Sequence, residues 1–396
     1  MAIADVQEYT HLSAEEVEQI GRELDDLRKE IEDSRGADDA AYIHRIIRVQ
    51  RAMAFAARLL LFRSDVRAAR VVGAAALGVA KILENMEIGH NVMHGQWDWM
   101  NDPEIHSSNW EWDTAQPAEQ WKHSHNYVHH QFTNVLGHDN DIGYGILRMA
   151  REQKWSSANL GQPIYNALLA GLFQWGVSLH DLDIEVIRKR EKDPKEMKRQ
   201  LKQIWRKGRN QVLKDYVVYP AMSGRNWKRT LVANATANLI RNVWSYTIIF
   251  CGHFPDGALV FTEEELEDET RAEWYLRQML GSANFKGGPL LHILSGNLGF
   301  QIEHHLYPDL PSNRYAQISE RVRALCEKYD LPYTTGPLHK QYGQTLRTIM
   351  KLSLPNRFTS ADKHEVSEME VPHGRRKDSE RPIRRTETGS YYRARS

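Results

Sequence analysis

Three short blocks decide how this chain reads: His90-Asn91-Val92-Met93-His94, His125-Asn126-Tyr127-Val128-His129-His130 and Gln301-Ile302-Glu303-His304-His305. On a helix, residues four apart share a face. His90 and His94 are spaced this way, as are His125 and His129, with His130 adjacent. Gln301 stands three and four residues before His304 and His305. Each block therefore turns two or three imidazoles towards one point. A lone HxxxH or HH pair is ordinarily a surface or packing feature, but three blocks with one geometry are not. Their seven histidines exceed the four ligands of a structural zinc, so the count points to two metals. Imidazole suits iron, zinc, copper and nickel alike, and ligand type alone does not name the metal.

Outward from the blocks, the chain reads as helical throughout. Residues 13–33 open on Ser13-Ala14-Glu15-Glu16, a capping-box start to a charged helix expected to be solvated. Residues 40–62 continue as helix and turn apolar at 52–62. A charged turn at Arg63-Ser64-Asp65 follows, and a second apolar run leads through Lys81 to His90. Residues 97–122 hold Trp97, Trp99, Trp110, Trp112 and Trp121 among Asp and Asn, an irregular polar cap. Residues 164–179 are apolar, Arg188 to Arg209 strongly basic, and 212–222 and 231–251 apolar again around the charged turn Ser223 to Arg229. Residues 261–278 are acidic and helical. Residues 357–396 are arginine-rich, poor in aliphatics and expected to be disordered. No internal repeat is present. The expected domains are a polar helical segment at 1–44, a unit at 45–350 that carries the three blocks, and a charged tail at 351–396.

Composition removes other classes. Lys+Arg and Asp+Glu balance at 52 each, which gives no push towards nucleic acid. The two cysteines, Cys251 and Cys326, form neither a CxxC pair nor a disulfide framework, which favours a reducing compartment. The start lacks the basic-then-apolar pattern of a secretory signal. The apolar runs fall short of the 20 or so residues a spanning helix wants, Arg241 interrupts the best of them, and mean hydropathy is −0.60.

The blocks, in order, resemble the three histidine boxes of the membrane fatty acid desaturase superfamily. Thr133-Asn134 and Asp139-Asn140-Asp141-Ile142 after the second block match too, as does His304-His305-Leu306-Tyr307-Pro308-Asp309-Leu310-Pro311. The chain is most similar to the bacterial acyl-CoA Δ9 type served by a separate reductase. There is no His-Pro-Gly-Gly haem motif of a fused cytochrome b5 domain. The resemblance implies metal ligands at His90, His94, His125, His129, His130, His304 and His305, and an eighth at His253, where the last membrane helix should end. Gln301 stands where many members have histidine. An amide is a poor iron ligand, so Gln301 is expected to hydrogen-bond a ligand or a metal-bound water. Asp141, with Asp139 and Glu303, is a candidate to orient imidazoles. His123 is a lesser candidate to replace a neighbour in the second block.

The resemblance further implies an all-α fold of membrane helical hairpins, about four transmembrane helices, under a cytoplasmic helical cap that holds a di-iron site. With all boxes on one face, 52–62 pairs with 71–88 and 212–222 with 231–251, leaving 164–179 interfacial. The basic stretch then lies on the cytoplasmic side of the cell membrane, where it can meet coenzyme A phosphates or an acidic donor. The implied reaction is O2-dependent insertion of a cis double bond into a saturated acyl-CoA such as stearoyl-CoA. It uses two iron ions and NADPH electrons delivered by an external reductase or ferredoxin-like donor. Two alternatives remain at this level. One is a sister hydroxylase, epoxygenase, acyl-lipid or sphingolipid desaturase; the other is a non-redox metal-binding scaffold.

Overall fold

The computed structural model describes residues 6–180, 182, 193–266 and 268–358. The tail expected to be disordered lies almost wholly outside the described residues, as do the first residues of the basic stretch. The fold is all-α apart from one short parallel pair, β1 (Asn284–Lys286) with β2 (Thr335–Pro337).

Helix α1 (Ala14–Asp33) begins with the expected capping box: Glu16 N donates to Ser13 Oγ at 3.2 Å and Ser13 N to Glu16 Oε2 at 2.8 Å. It is not a solvated helix. Val17, Ile20, Leu24, Leu27 and Ile31 recur at three- and four-residue spacing and are all buried. Burial of each contributes about 1.5–3 kcal/mol, which outweighs the charge density of the other face. The stripe packs on α9 (Arg271–Leu280) and α12 (Tyr315–Tyr329), in the same core as Ile302 and Leu306 of the third block.

Two hairpins form the body. Helix α2 (Ala37–Phe62) turns at 63–66 into α3 (Arg67–Ile82), which runs without a break into a π-helical stretch, Leu83–His90. Helix α7 (Pro194–Val212) likewise runs through a π-helical stretch, Leu213–Val218, to Met222, and α8 (Trp227–His253) returns. The hairpin tips meet where Asn226 Nδ2 donates to Phe62 O at 3.0 Å and Thr230 Oγ1 to Leu61 O at 3.0 Å. The interfacial segment expected at 164–179 is two helices, α5 (Gln162–Gly171) and α6 (Phe173–His180), broken at Leu172.

No helix among the described residues is both long and apolar enough to cross a membrane. Within the hairpins, polar and apolar residues are divided by face. On α8 the buried positions include Asn234, Asn238, Arg241 and Asn242, whereas Val232, Leu239, Ile240 and Val243 face outward. Between the helices, buried Asp215 accepts from Lys81 Nζ at 2.8 Å, Arg58 Nη2 at 2.7 Å and Asn238 Nδ2 at 3.1 Å. The hairpin body thus buries polar contacts beside an apolar cluster of Ala57, Leu61, Ala74, Leu77, Ala233 and Ala237, and leaves several aliphatic side chains outside.

Above it, residues 97–117 are mostly turns, but the irregular stretch expected to reach 122 stops there, because 118–122 are helical. Helix α4 (Ala118–Trp121) then leads into a third π-helical stretch, Lys122–His129. Helices α10 (Pro289–Leu294), α11 (Gln301–Leu306), α12 and α13 (Leu338–Leu352) complete the cap.

Candidate metal centre

Local helix geometry brings the second block together. On an α-helix, position i+5 points well away from position i, which would leave His130 facing elsewhere. The π-helix at Lys122–His129 bonds i to i+5, and His130 N donates to His125 O at 3.0 Å. That ladder holds between four and five residues per turn, so positions i+4 and i+5 flank position i. His125, His129 and His130 therefore share one face. The first block begins where the π-helical stretch Leu83–His90 ends, and His94 N donates back to His90 O at 3.1 Å. The third block sits on α11, held under the first by a close backbone approach. At Gly296 (φ +71°) a Cβ would lie 2.6 Å from Met86 O.

All eight expected histidines meet. His90, His94, His125 and His304 place one ring nitrogen each within 4.8 Å of one another, and so do His129, His253 and His305. His130 stands between the groups, its ring centroid 4.7 Å from His94, 4.8 Å from His304 and 4.4 Å from His305. Imidazoles from four separate segments thus form two adjoining clusters.

The Nδ1 contacts reveal how the rings are held. His129 Nδ1 faces both Asp139 oxygens, at 3.1 and 3.0 Å, and a carboxylate there can only accept. His305 Nδ1 donates to Gln278 Oε1 at 3.1 Å, His90 Nδ1 to Asn91 Oδ1 at 3.0 Å, and His304 Nδ1 faces the Tyr315 hydroxyl at 3.2 Å. His125 Nδ1 lies 3.5 Å from Asp141. With Nδ1 anchored, Nε2 is left to point inward. Nε2 of His125, His304 and His305 is buried without a hydrogen-bond partner; so are both nitrogens of His130 and Nδ1 of His253. Each such buried polar atom costs about 1–3 kcal/mol. Orphaned lone pairs converging on one volume are what a bound cation would satisfy.

Electrostatics agree. Burial pushes the His90 pKa down to about 3, and His94, His130, His253, His304 and His305 fall well below the usual range, with neighbouring imidazoles adding to the effect. These rings are neutral at pH 7, the form that ligates. Burial also lowers His125, partly offset by Asp141. Burial acts the same way on His129, but the Asp139 carboxylate and its hydrogen bonds outweigh it and raise the pKa.

The expected supporting residues divide. Gln301 Nε2 lies 3.0 Å from Nε2 of His253, one of the histidines expected to be a ligand. Asp141 stands between His125, His129 at 3.8 Å and His180 at 3.2 Å. Burial opposes its charge, yet hydrogen bonds from His125 and His180 hold its pKa well below the carboxylate range. Glu303 touches no imidazole: it accepts from Tyr333 Oη at 2.7 Å and Asn284 Nδ2 at 2.8 Å, facing away from its own block. His123 is exposed and stacks on Tyr127, outside the cluster. Sequence reasoning missed Asn91, Tyr315, Thr133, Gln278 and His180 as supports, and Trp121, which stacks on His125 at 4.4 Å. Only Asn91, inside the first block, and Thr133, just after the second, carried any signal.

A cavity opens from the clusters. His125, His253 and His304 line one end. Phe173 and Ile249 line it further on, and Gln174, Arg241 and Asn242 the other end. Arg241 precedes His253 by twelve residues on α8, about 18 Å of helix.

Comparison with known proteins agrees with this arrangement. The fatty acid desaturase family matches residues 67–337. The chain is 54% identical over 362 residues to the NADPH-dependent stearoyl-CoA 9-desaturase of Mycobacterium tuberculosis, covering 90% of this chain and 85% of that protein. It is 25% identical over 297 residues to the sn-1 linoleoyl-lipid 6-desaturase of Synechocystis, covering 71% of this chain and 79% of that protein.

Proposed function

The chain belongs to the fatty acid desaturase family, and from that premise we propose that it converts a saturated acyl-CoA, stearoyl-CoA first among candidates, into its cis-Δ9 product at a di-iron centre. The observation that carries the reading is the convergence of eight imidazoles, five of which keep a buried nitrogen without a partner. His90, His94, His125 and His304 would hold one iron, His129, His253 and His305 the other, with His130 between them. The donor set fits iron: neutral imidazoles, more than four, in two adjoining groups. When bound, the two irons supply the O2-derived oxidising power that an unactivated methylene requires and no side chain possesses.

The overall change removes two hydrogens from adjacent methylenes and, with O2, two electrons and two protons, yields the alkene and two waters. NADPH supplies the electrons through a separate donor protein. The chain's own part is placement. Asp139 and Asp141 fix the rings of the second block, while Gln301 and Trp121 limit the freedom of His253 and His125. The cavity between Phe173 and Ile249 receives an extended aliphatic segment and excludes water from the clusters. Residues 45–350 form the catalytic unit, with α1 braced against the third block.

We place the protein in the cell membrane with its metal centre on the cytoplasmic side and with two hairpins, 52–62 with 71–88 and 212–222 with 231–251, entering the bilayer. The outward apolar side chains of the hairpin body support this placement. Phe55, Leu59, Val71, Val217, Val232 and Leu239 are all exposed, a surface unfavourable in water and natural in lipid.

The test is fatty acid profiling of cells expressing the chain with an NADPH-linked reductase. A product two hydrogens lighter, with its double bond at carbon 9, is expected. Gain of oxygen would assign the sister hydroxylase activity, and an unchanged profile together with metal other than iron would overturn the reading.

A further inference from the structure

Helix α7 carries a surface that the metal centre does not use. Its inner face, Ile204, Gly208 and Gln211, is buried, with Trp175 against Gly208. Lys207 pairs with Glu111 and Arg199 with Glu119, which fixes the helix beside the cap. A second apolar stripe, Leu201, Trp205 and Val212, recurs at spacings of four and seven yet faces outward, and Trp205 is 70% exposed. Lys198, Lys202, Arg206 and Arg209 are also exposed and have no ion-pair partner among the described residues. At about 100° per residue the three apolar side chains span about 40°, and the four cations occupy the adjoining 80° or so.

The same helix continues into Leu213, Val217, Val218 and Met222, all exposed. Along its exposed positions the helix thus passes from cations, through an exposed tryptophan, to purely apolar side chains. That order matches a bilayer crossed from phosphate to interface to hydrocarbon: cations at phosphates, tryptophan at the interface, aliphatics below. A cluster of four to eight basic residues beside a membrane segment favours anionic lipid.

We infer that α7 binds anionic phospholipid in the leaflet on the metal-centre side. Lys198, Lys202, Arg206 and Arg209 contact the headgroup phosphates, and Trp205 lies at the interface. The inference rests on the membrane placement proposed above and adds the headgroup chemistry.

The experiment reconstitutes the full chain in an equimolar mixture of phosphatidylcholine and phosphatidylglycerol. After re-extraction in detergent, the retained phospholipid is quantified by class. The parent chain is expected to retain phosphatidylglycerol over phosphatidylcholine by about fivefold or more, with the ratio falling as salt rises. The quadruple variant Lys198→Gln, Lys202→Gln, Arg206→Gln, Arg209→Gln is expected to approach equal retention. A charge-preserving quadruple, Lys198→Arg, Lys202→Arg, Arg206→Lys, Arg209→Lys, keeps the preference and separates charge from fold. Equal retention by the parent, or an unchanged preference in the glutamine variant, would overturn the inference while leaving the membrane placement intact. A glutamine variant with unchanged lipid preference but a raised KM for acyl-CoA would assign the cations to the thioester's phosphates instead. Retention of no phospholipid would remove the membrane placement as well.

Discussion

Asp139→Asn changes one oxygen for one NH2 group and almost nothing in shape, and the hydrogen-bond geometry says where it should hurt. The carboxylate is buried and accepts four contacts: His129 Nδ1 at 3.1 and 3.0 Å, Asn134 N at 2.8 Å on Oδ2, and Asp141 N at 2.9 Å on Oδ1. The two backbone donors address different oxygens, so whichever way the new amide turns, its NH2 meets a backbone N–H. One buried donor is left unsatisfied, at about 1–3 kcal/mol, and the charge-assisted bond to His129 becomes a neutral one of roughly half its strength. The folded chain should lose about 2–4 kcal/mol. Weaker orientation of His129 should cost about 10–100-fold in metal affinity. The assay is iron per chain at equilibrium with a graded chelator, beside the denaturation midpoint of the metal-free protein. Asp141→Asn serves as the comparison: its contacts to His125 and His129 are 3.5 and 3.8 Å long, so its affinity loss should be smaller. The reasoning fails if Asp139→Asn holds iron within about twofold of the parent.

Three further outcomes are expected. His129→Ala or His304→Ala should abolish iron loading and desaturation together, as read by metal analysis and product formation; full activity in either would refute the assigned ligand set. Gly296→Ala should destabilise the chain by about 2–4 kcal/mol, because it adds a left-handed backbone penalty to a Cβ only 2.6 Å from Met86 O, and a thermal melt unchanged within about 2 °C would count against that contact. Metal-free protein should lose stability as pH falls from about 6.5 towards 3: the unfolded chain protonates its histidines near the ordinary 6.5, whereas folded His90 stays neutral until about 3. Across that window the unfolded state binds more protons, so the melting temperature should drop with acidification, and a flat profile between about pH 7 and 5 would contradict the buried neutral imidazoles.

The histidines were legible because their chemistry needs a fixed residue type at a fixed spacing. The geometry behind one of them was not. An α-helical reading accounts for His125 with His129 but strands His130, and only the π-helical ladder brings all three round. A composition rule could not find Gln278, Tyr315 or His180, which reach the centre from other segments. Helix α1 was misjudged for a different reason. Its buried stripe at Val17, Ile20, Leu24, Leu27 and Ile31 is plainly periodic, but the charged residues between dominate any average. Glu303, placed by sequence beside two histidines, turns the other way because Tyr333 and Asn284 satisfy its carboxyl group, whose pKa burial nonetheless raises to about 7.

Hydropathy averages conceal which face each residue occupies, and this bears on how the body holds together. An average over α8 sums Asn234, Asn238, Arg241 and Asn242 with Val232, Leu239, Ile240 and Val243 without regard to which face each occupies. In water, helices associate because apolar faces leave solvent; in lipid that drive disappears, and packing and interhelical hydrogen bonds must replace it. The buried contacts are of this kind. Asp215 ties α7's continuation to α2, α3 and α8 through Arg58, Lys81 and Asn238. Arg241 donates to Gln174 Oε1 at 2.6 Å, and Asn242 Nδ2 to Gly171 O at 2.8 Å, which ties α8 to α5 and α6 beneath the cavity. The polar residues buried on α8 are therefore those that bind the hairpins to each other. Polar contacts between the helices and exposed aliphatic side chains on α8 are two faces of one arrangement.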